Sequence, residues 1–199
     1  MPEMLLFQMF ALAERIQYRM ETQCKRLFVA LCLDDQQKDI LYGEVQRLRK
    51  AAKSGNFTRR ENLHLTLAFL GETEHQKSIE QALKRVQVSP FELSIGGFGR
   101  FKKGRREVCW MGAHEEPALG RLHAVVCAAL GDAGFSLERR PYRPHITLGR
   151  NVQLPADFDE KAFAAFSPQL QLPVRRVSLM WSHRVDGLLT YTEVFGVLL

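Results

Sequence analysis

The sequence predicts an α+β fold of two similar lobes related by a pseudo-twofold axis, with antiparallel sheets lining a central cleft and helices outside. First, alternating apolar and polar runs, which are typical of strands, are mixed with segments of helical periodicity. Second, turn signals such as residues 186–187 (DG) imply hairpins and therefore antiparallel pairing. Third, a unit of strand, helix and strand recurs after 81 residues.

The repeat aligns without a gap. Residues 27–32 (LFVALC) fall on residues 108–113 (VCWMGA), and both segments are typical of buried strands. The alignment ends on two copies of one motif, residues 64–67 (HLTL) and 145–148 (HITL). In each copy the His and Thr alternate with aliphatic residues, so they point to one face of a strand. Because equivalent strands of a pseudo-twofold molecule meet at its axis, we expect the two histidines to face each other.

The elements follow from local patterns taken in order along the chain. Helices are predicted where apolar residues recur every three or four positions, and we expect Thr73 to act as an N-cap. Residues 54–56 (SGN) and Pro90 are expected to stop the helices before them. The apolar side of the first helix carries Ile40, Leu41, Val45 and Leu48. Strands are predicted over residues 26–33, 57–71, 91–98, 107–113, 173–183 and 188–198, and helices over residues 34–53, 73–86, 117–131 and 159–166.

A basic segment, residues 99–106 (GRFKKGRR), joins two of these strands as a hairpin loop. Such a charge run is typical of a solvated loop, while Phe101 among the cations favours contact with RNA. Both interpretations stay open, and the second predicts that Lys102, Lys103, Arg105 and Arg106 bind RNA phosphates.

Residues 1–24 precede the repeat and form an N-terminal extension. Leu5, Met9, Leu12 and Ile16 recur at helical spacing, which predicts a short helix packed on the body of the protein. A partner-binding or membrane-surface role for this helix is the alternative.

Composition bounds the class of protein. With 199 residues, 46% of them hydrophobic, and no Pro/Gly/Ser-rich linker, residues 25–199 are expected to form one bilobal domain. The net charge of +6 favours an anionic partner, although a merely basic soluble enzyme has the same balance. The four cysteines lack C-x-x-C spacing, and the apolar residues 4–13 are too few to span a membrane. We therefore expect a cytoplasmic monomer without a membrane span.

A cleft holding two imidazoles and two hydroxyls suits acid and base chemistry on a phosphate ester. Histidine has an unperturbed pKa near neutrality, so one imidazole can act as base while the other, protonated, acts as acid. Thr66 and Thr147 would donate hydrogen bonds to phosphate oxygens, and Arg150 would add a bidentate contact. The other four histidines are expected to be surface or locally hydrogen-bonded residues: His75, His114, His123 and His183.

Two other chemistries have weaker support. A metal site would need Asp, Glu or Cys ligands beside His64 and His145, and the motifs contain none. A Ser or Cys nucleophile would need a supporting motif such as G-x-S-x-G, which the chain lacks. We expect neither a metal nor a cofactor.

Three stretches carry a family resemblance: residues 26–30 (RLFVA), 62–72 (NLHLTLAFLGE) and 140–150 (RPYRPHITLGR). Over about residues 25–197 the chain resembles the two-histidine (2H) phosphoesterases, and among them the bacterial RNA 2',3'-cyclic phosphodiesterases, also called 2'-5' RNA ligases. The resemblance implies metal-independent hydrolysis of a 2',3'-cyclic phosphate to a 2'-phosphate, with reversible 2'-5' joining of RNA ends.

The resemblance also implies roles for individual residues. His64 would be the proton donor and His145 the proton acceptor, with Thr66, Thr147 and Arg150 on the phosphate. The candidate base contacts are Phe28, Phe69 and Tyr142. Strict alternation along the strand turns Phe69 away from His64, which favours core packing for Phe28 and Phe69.

Two hypotheses about function remain at this point. The preferred one is a phosphodiesterase, and the alternative is a basic module that binds RNA terminal phosphates without turnover. Two complete motifs favour the enzyme, because a binder needs cations more than titrating imidazoles. The substrate remains open among tRNA halves, short oligonucleotides, mononucleotides and ADP-ribose cyclic phosphate, since all share the reacting group.

Overall fold

The computed structural model describes residues 24–104, 106–138 and 140–199. Of Lys103 it describes only the backbone. The predicted N-terminal helix and one of the basic residues singled out above, Arg105, lie outside the described residues. The strands are β1 (Lys25–Cys32), β2 (Ser54–Phe57), β3 (His64–Thr73), β4 (Phe91–Lys103), β5 (Arg106–Ala113), β6 (His145–Gln153), β7 (Leu170–Val174), β8 (Arg176–Val185) and β9 (Leu188–Leu198). The helices are α1 (Asp35–Ala51), α2 (Gln76–Leu83), α3 (Pro117–Asp132) and α4 (Glu160–Ala165), with a 3-10 turn at Arg60–Asn62.

The strands form one antiparallel sheet with the order β7-β4-β5-β6-β3-β1-β8-β9, and β2 pairs with β6. It divides into two halves, lobe 1 (β3-β1-β8-β9) and lobe 2 (β6-β5-β4-β7, with β2). The halves join between β3 and β6 through a single residue pair, Leu65 and Ile146. The predicted α+β fold with two antiparallel lobes is therefore confirmed, and the two expected sheets are continuous at the centre.

The repeat spacing is kept by the observed elements. β5 has the same length as β1 and begins 81 residues after it, and β6 begins 81 residues after β3. The third strand of each lobe comes from a different part of the chain. In lobe 2 it is β4, which lies between the two units, whereas in lobe 1 it is β8, which follows the second unit.

The two long helices cross between the lobes. α1 belongs to the first unit but packs on β2 and β6 of lobe 2, and the Gln37 side-chain amide donates to the Gln171 carbonyl in β7 at 2.9 Å. α3 belongs to the second unit but packs on β3 of lobe 1 and on α2. Each unit therefore covers the outer face of the other lobe, which ties together two halves that share only one strand pair.

The first helix begins and ends where side chains satisfy its terminal groups. Asp34 accepts from the Gln37 backbone N–H, and the Gln37 side chain accepts from the Asp34 N–H, which makes a capping box. At its other end, residues 54–56 were expected only to stop the helix. They instead lie in β2, because the strand pairs with β6 through Ser54 and Asn56.

Two further predictions are wrong in detail. The second helix begins at Gln76 with His75 at the N-cap position, because Thr73 ends β3 and its hydroxyl accepts from the His75 N–H at 3.0 Å. Most of residues 99–106 is strand and not loop, since β4 continues to Lys103 in register with β5. Charge pairing supports this extension, because the half-buried Arg100 guanidinium binds Glu107 at 3.0 Å across the two strands.

The core fills the space between the sheet and the helices. On α1 the side chains of Leu41, Val45 and Leu48 are completely buried, whereas Ile40, expected on the same apolar side, is 40% exposed. Among the described residues no helix is long and apolar enough to cross a membrane.

Leu41 and Ile40 give a matched test of this packing. Leu41→Ala should lower the free energy of unfolding by about 2–5 kcal/mol, because it leaves a cavity in a fully buried site. Ile40→Ala on the next residue should change it by less than about 1 kcal/mol. Urea unfolding followed by circular dichroism measures both, and equal losses would contradict this placement of α1.

Candidate active site

The single strand pair at the centre of the sheet brings the two motifs together. Leu65 and Ile146 are paired partners and are completely buried on the helix side of the sheet. Side chains alternate between the faces of a strand, so the residues on either side of this pair point to the opposite face. The cleft face at the axis therefore carries His64, Thr66, His145 and Thr147, as the motif spacing predicts.

Both imidazoles are held in the same way. Nδ1 of His64 lies 2.7 Å from the Asn62 carbonyl oxygen, and Nδ1 of His145 lies 2.7 Å from the Arg143 carbonyl oxygen. A carbonyl only accepts, so in each ring Nδ1 carries the proton and donates it. Nε2 is left to act in the cleft, and in His64 it lies 2.9 Å from the Thr66 hydroxyl. The backbone two residues before each histidine thus selects the tautomer that chemistry at Nε2 needs.

The two motif threonines are also fixed through their backbone carbonyls. Because β3 and β6 pair only at Leu65 and Ile146, the carbonyls of Thr66 and Thr147 bind hydroxyls. The Tyr142 hydroxyl donates to the Thr66 oxygen at 3.0 Å, and the Thr58 hydroxyl donates to the Thr147 oxygen at 2.8 Å. In both cases the donor comes from the other repeat unit.

A β-bulge in each motif strand turns one further side chain toward the cleft. In β3 the pairing with β1 skips Leu67, so Leu67 and Ala68 both point into the core and Phe69 falls on the face of Thr66. In β6 the pairing with β5 skips the equivalent residue, Leu148, and Arg150 occupies the position equivalent to Phe69.

The bulge overturns one prediction about the aromatic residues. Strict alternation favoured core packing for Phe69, but its side chain is 55% exposed and its ring lies 6.2 Å from that of Phe28. Phe28 is buried, as expected, although not in the main core, because its ring packs 4.8 Å from the His64 imidazole.

Tyr142 does not fit the expected role of a base contact. Its ring stacks on His123 of α3 with a centroid distance of 3.8 Å, and it packs against the main core. Its hydroxyl is already bound to the Thr66 carbonyl. Burial raises the pKa of Tyr142, so the hydroxyl stays protonated as a donor. Tyr142 therefore braces the motif strand and does not line the cleft.

Three aromatic residues of the site were not predicted. The Tyr191 ring of β9 meets the His64 imidazole edge-on at 5.2 Å, and Phe101 of β4 meets His145 in the same way at 5.1 Å. The Trp110 ring of β5 lies 6.0 Å from His145. A Cβ atom at Gly99 would lie 2.2 Å from the Trp110 indole, so only glycine leaves room for it.

The sequence offered partial signals for these residues. Trp110 lies in the strand that the repeat predicted, and Phe101 was noticed but assigned to the hairpin loop. Nothing in the sequence connected Tyr191 with the first motif, because the pairing of β8 with β1 that brings β9 near His64 spans most of the chain.

The surroundings of the imidazoles disfavour their charged forms. Burial lowers the pKa of His64 to about 4, against the opposing effect of its bond to the Asn62 carbonyl, and the charges of Arg150 and His145 add to the lowering. Burial also lowers the pKa of His145, again with Arg150 contributing. Arg150 therefore lies close enough to act on both imidazoles, as a shared phosphate site requires.

Three of the other four histidines make local contacts. His114, His123 and His183 contact Gln169 at 3.1 Å, the Cys127 thiol at 3.4 Å and the Thr192 hydroxyl at 2.8 Å, respectively. These are the local hydrogen bonds that the sequence analysis expected. The four cysteines are free thiols.

The lowered pKa of His64 predicts a pH-dependent stability. Between pH 6.5 and about 4 the unfolded chain binds a proton at His64 that the folded protein does not, so stability falls as the pH falls. This one group accounts for about 1.4 kcal/mol per pH unit inside that window, and for no change well above pH 6.5.

Urea unfolding between pH 4.5 and 8 should therefore show a shallower pH dependence for His64→Asn than for the wild type. An NMR titration of the His64 Cε1–H signal checks the cause directly. A midpoint near 6.5 would contradict it.

Comparisons with known proteins agree with this geometry. A model of the 2'-5' RNA ligase superfamily matches residues 37–186. A Thermotoga maritima protein named RNA 2',3'-cyclic phosphodiesterase is 31% identical over 159 aligned residues, covering 77% of this chain and 84% of the relative. An Archaeoglobus fulgidus protein of the same name is 36% identical over 128 aligned residues, covering 63% of this chain and 72% of the relative.

A solved structure agrees with the fold. The crystal structure of E. coli LigT complexed with 3'-AMP superposes with a TM-score of 0.75 at 26% identity, covering 89% of this chain and 99% of that one. The family match spans most of the chain and includes both histidine motifs. The chain therefore belongs to the 2'-5' RNA ligase superfamily of two-histidine phosphoesterases.

Proposed function

We propose that this protein is an RNA 2',3'-cyclic phosphodiesterase that hydrolyses cyclic phosphate ends to 2'-phosphates. The observation that carries the proposal is the pair of imidazoles, each donating from Nδ1 to a backbone carbonyl and leaving Nε2 for a cleft beside one guanidinium. The relatives from Thermotoga maritima and Archaeoglobus fulgidus bear the name of this activity.

In the proposed reaction the two imidazoles divide the proton transfers. His145 Nε2 takes a proton from water as the water oxygen attacks phosphorus, and His64 Nε2–H gives a proton to the departing 3'-oxygen. The bond between phosphorus and the 3'-oxygen breaks, which leaves a 2'-phosphate and a free 3'-hydroxyl. Thr66, Thr147 and Arg150 hold the nonbridging oxygens, where negative charge is concentrated.

A bound substrate brings a negative charge next to His64. In the free protein, burial keeps the pKa of His64 at about 4, and the charges of Arg150 and His145 add to the lowering, so His64 is neutral near pH 7. A bound cyclic phosphate carries one negative charge beside the same groups, and an opposite charge within a few ångströms favours the protonated imidazole. The proton donor therefore forms in the complex with substrate.

The same site also supports 2'-5' joining of RNA ends. If the 5'-hydroxyl of a second RNA replaces water, attack on the cyclic phosphate again expels the 3'-oxygen and leaves a 2'-5' linkage. No new group is needed, because His145 takes the proton of the attacking hydroxyl as it takes that of water.

A binding module without turnover is the weaker alternative. Recognition of a terminal phosphate would be served by cations alone, whereas here two half-buried imidazoles are fixed in one tautomer. The partner in our proposal is RNA carrying a cyclic phosphate, with the exposed Lys102 and Arg106 of the hairpin as further phosphate contacts. We also propose that the protein acts as a cytoplasmic monomer, in keeping with its free thiols.

Turnover without added metal tests the activity. Incubation with nucleoside 2',3'-cyclic phosphates in EDTA should give the 2'-phosphate, because proton transfer by two imidazoles needs no metal. His64→Ala and His145→Ala should each lower kcat by about 10² to 10⁴. Phosphorus NMR identifies the product. Loss of activity in EDTA with recovery in zinc, or a 3'-phosphate as the sole product, would contradict the proposal.

The roles of the two histidines can be separated through the leaving group. In a substrate with sulfur at the 3'-bridging position, the leaving group is a thiolate. Because the pKa of a thiol is about 8.5, this group can leave without a proton donor. His64→Ala should therefore recover much of its activity on this substrate, while His145→Ala should not. Initial rates of both variants on the oxygen and sulfur substrates give the comparison. Recovery of His145→Ala but not of His64→Ala would mean that the two roles are exchanged.

A further inference from the structure

One buried polar side chain beside the site is hydrogen-bonded through both its amide nitrogen and its oxygen, yet has no part in the proton transfers. Asn62 is only 6% exposed and ends the 3-10 turn that leads into the first motif. Its side-chain amide donates to the Leu189 carbonyl at 2.9 Å, and its side-chain oxygen accepts from the Tyr191 N–H at 3.2 Å. Its own backbone carbonyl accepts from His64 Nδ1.

These three contacts join two elements that are distant in sequence. Leu189 and Tyr191 lie in β9, which is an edge strand of the described sheet, and Tyr191 packs edge-on against the His64 ring. One residue thus fixes the carbonyl that orients the imidazole and the strand that supplies the ring beside it. Arg59 donates to the same Leu189 carbonyl at 3.2 Å, which strengthens the contact between β9 and the 3-10 turn.

The second motif has no equivalent side chain. The residue 81 positions after Asn62 is Arg143, whose carbonyl orients His145 but whose side chain is exposed. Aromatic rings of β4 and β5, which belong to the same lobe as β6, enclose His145 instead. The first imidazole therefore depends on a tertiary contact that the second does not need.

We infer that Asn62 is a positioning residue for His64, holding the proton donor in the Nδ1–H tautomer and aiming its Nε2 into the cleft. The expected change in kcat rests on the proposed function, whereas the expected change in the tautomer of His64 does not. Because the Asn62 side chain is bound to β9, it acts through its carbonyl and through this strand. A displacement of about 1 Å can cost about a hundredfold in rate, so the loss of the contacts between Asn62 and β9 should lower kcat.

The test compares Asn62→Ala with wild type and with a matched control, Ser167→Ala. Ser167 joins α1 to the end of α4 through a 2.6 Å bond to Glu44, so its loss lowers stability away from the cleft. For Asn62→Ala we expect kcat on a nucleoside 2',3'-cyclic phosphate to fall about tenfold to a hundredfold, with KM within about threefold of wild type. The control should retain wild-type kcat.

Nitrogen NMR of the imidazoles provides the readout that general destabilisation would not change. Asn62→Ala should give His64 a mixture of tautomers and a shifted titration, while His145 keeps its Nδ1–H form. Asn62→Asp keeps the acceptor for the Tyr191 N–H and should lose less activity than Asn62→Ala, which also provides a second variant if the alanine protein folds poorly.

The outcomes separate the two proposals. If wild type turns over no cyclic phosphate, the proposed function fails, and the NMR comparison still decides the role of Asn62. A His64 tautomer and kcat unchanged in Asn62→Ala would overturn the inference. An equal kcat loss in Ser167→Ala, or an equal disturbance of His64 and His145, would overturn it as well, because the effect would then be one of general stability.

Discussion

The structure depends on one constraint at its centre, where β3 and β6 meet at the single pair Leu65 and Ile146 and then diverge. The divergence opens the cleft, but it also removes the strand partners that the neighbouring backbone groups would have. A buried carbonyl without a hydrogen-bond donor lowers the stability of the fold. The hydroxyls of Tyr142 and Thr58 therefore donate to the backbone carbonyls of the motif threonines. Each hydroxyl comes from the other repeat unit, and the long helices cross in the same sense. The cleft can therefore be open while the two lobes remain one body.

The alternation of side chains along a strand and the 81-residue repeat were sufficient to predict the parts of the fold and site that depend on sequence spacing alone. The alternation of His and Thr with buried aliphatics placed four side chains on one face, and the 81-residue spacing placed the two faces together. Arg150, which we expect on the phosphate, lies close enough to lower the pKa of both imidazoles, although simple alternation would have turned its side chain to the other face. It reaches the cleft because the bulge at Leu148 shifts the phase of β6, and the matching bulge at Leu67 does the same for Phe69. A bulge depends on pairing with the neighbouring strand, so the period of one strand alone does not reveal it.

Most of the parts that could not be predicted depend on contacts between segments that are distant in sequence. Tyr191 reaches His64 only because the last two strands return to pair with the first. Tyr142 looked like a residue beside the second motif, yet its stacking on His123 directs it to the core. The hairpin at Phe101 was interpreted as a loop because its charges are typical of solvent. In the structure one of those cations, Arg100, pairs with Glu107 across the two strands, while Phe101 faces His145.

The two halves of the site share a backbone plan and differ in their surroundings, and this difference is what acid and base roles require. Two identical imidazoles in identical environments would titrate together and could not favour opposite roles. Here His64 is enclosed by Phe28 and Tyr191 from two strands of lobe 1, with Asn62 linking its turn to β9. His145 rests against Phe101 and Trp110, and the side chain at the position equivalent to Asn62 is an exposed arginine. At the equivalent bulge positions the chain carries Phe69 on one side and Arg150 on the other, so the guanidinium that lowers the pKa of both imidazoles comes from the second motif. Duplication thus supplies two oriented imidazoles, and the residues that are not duplicated make them unequal.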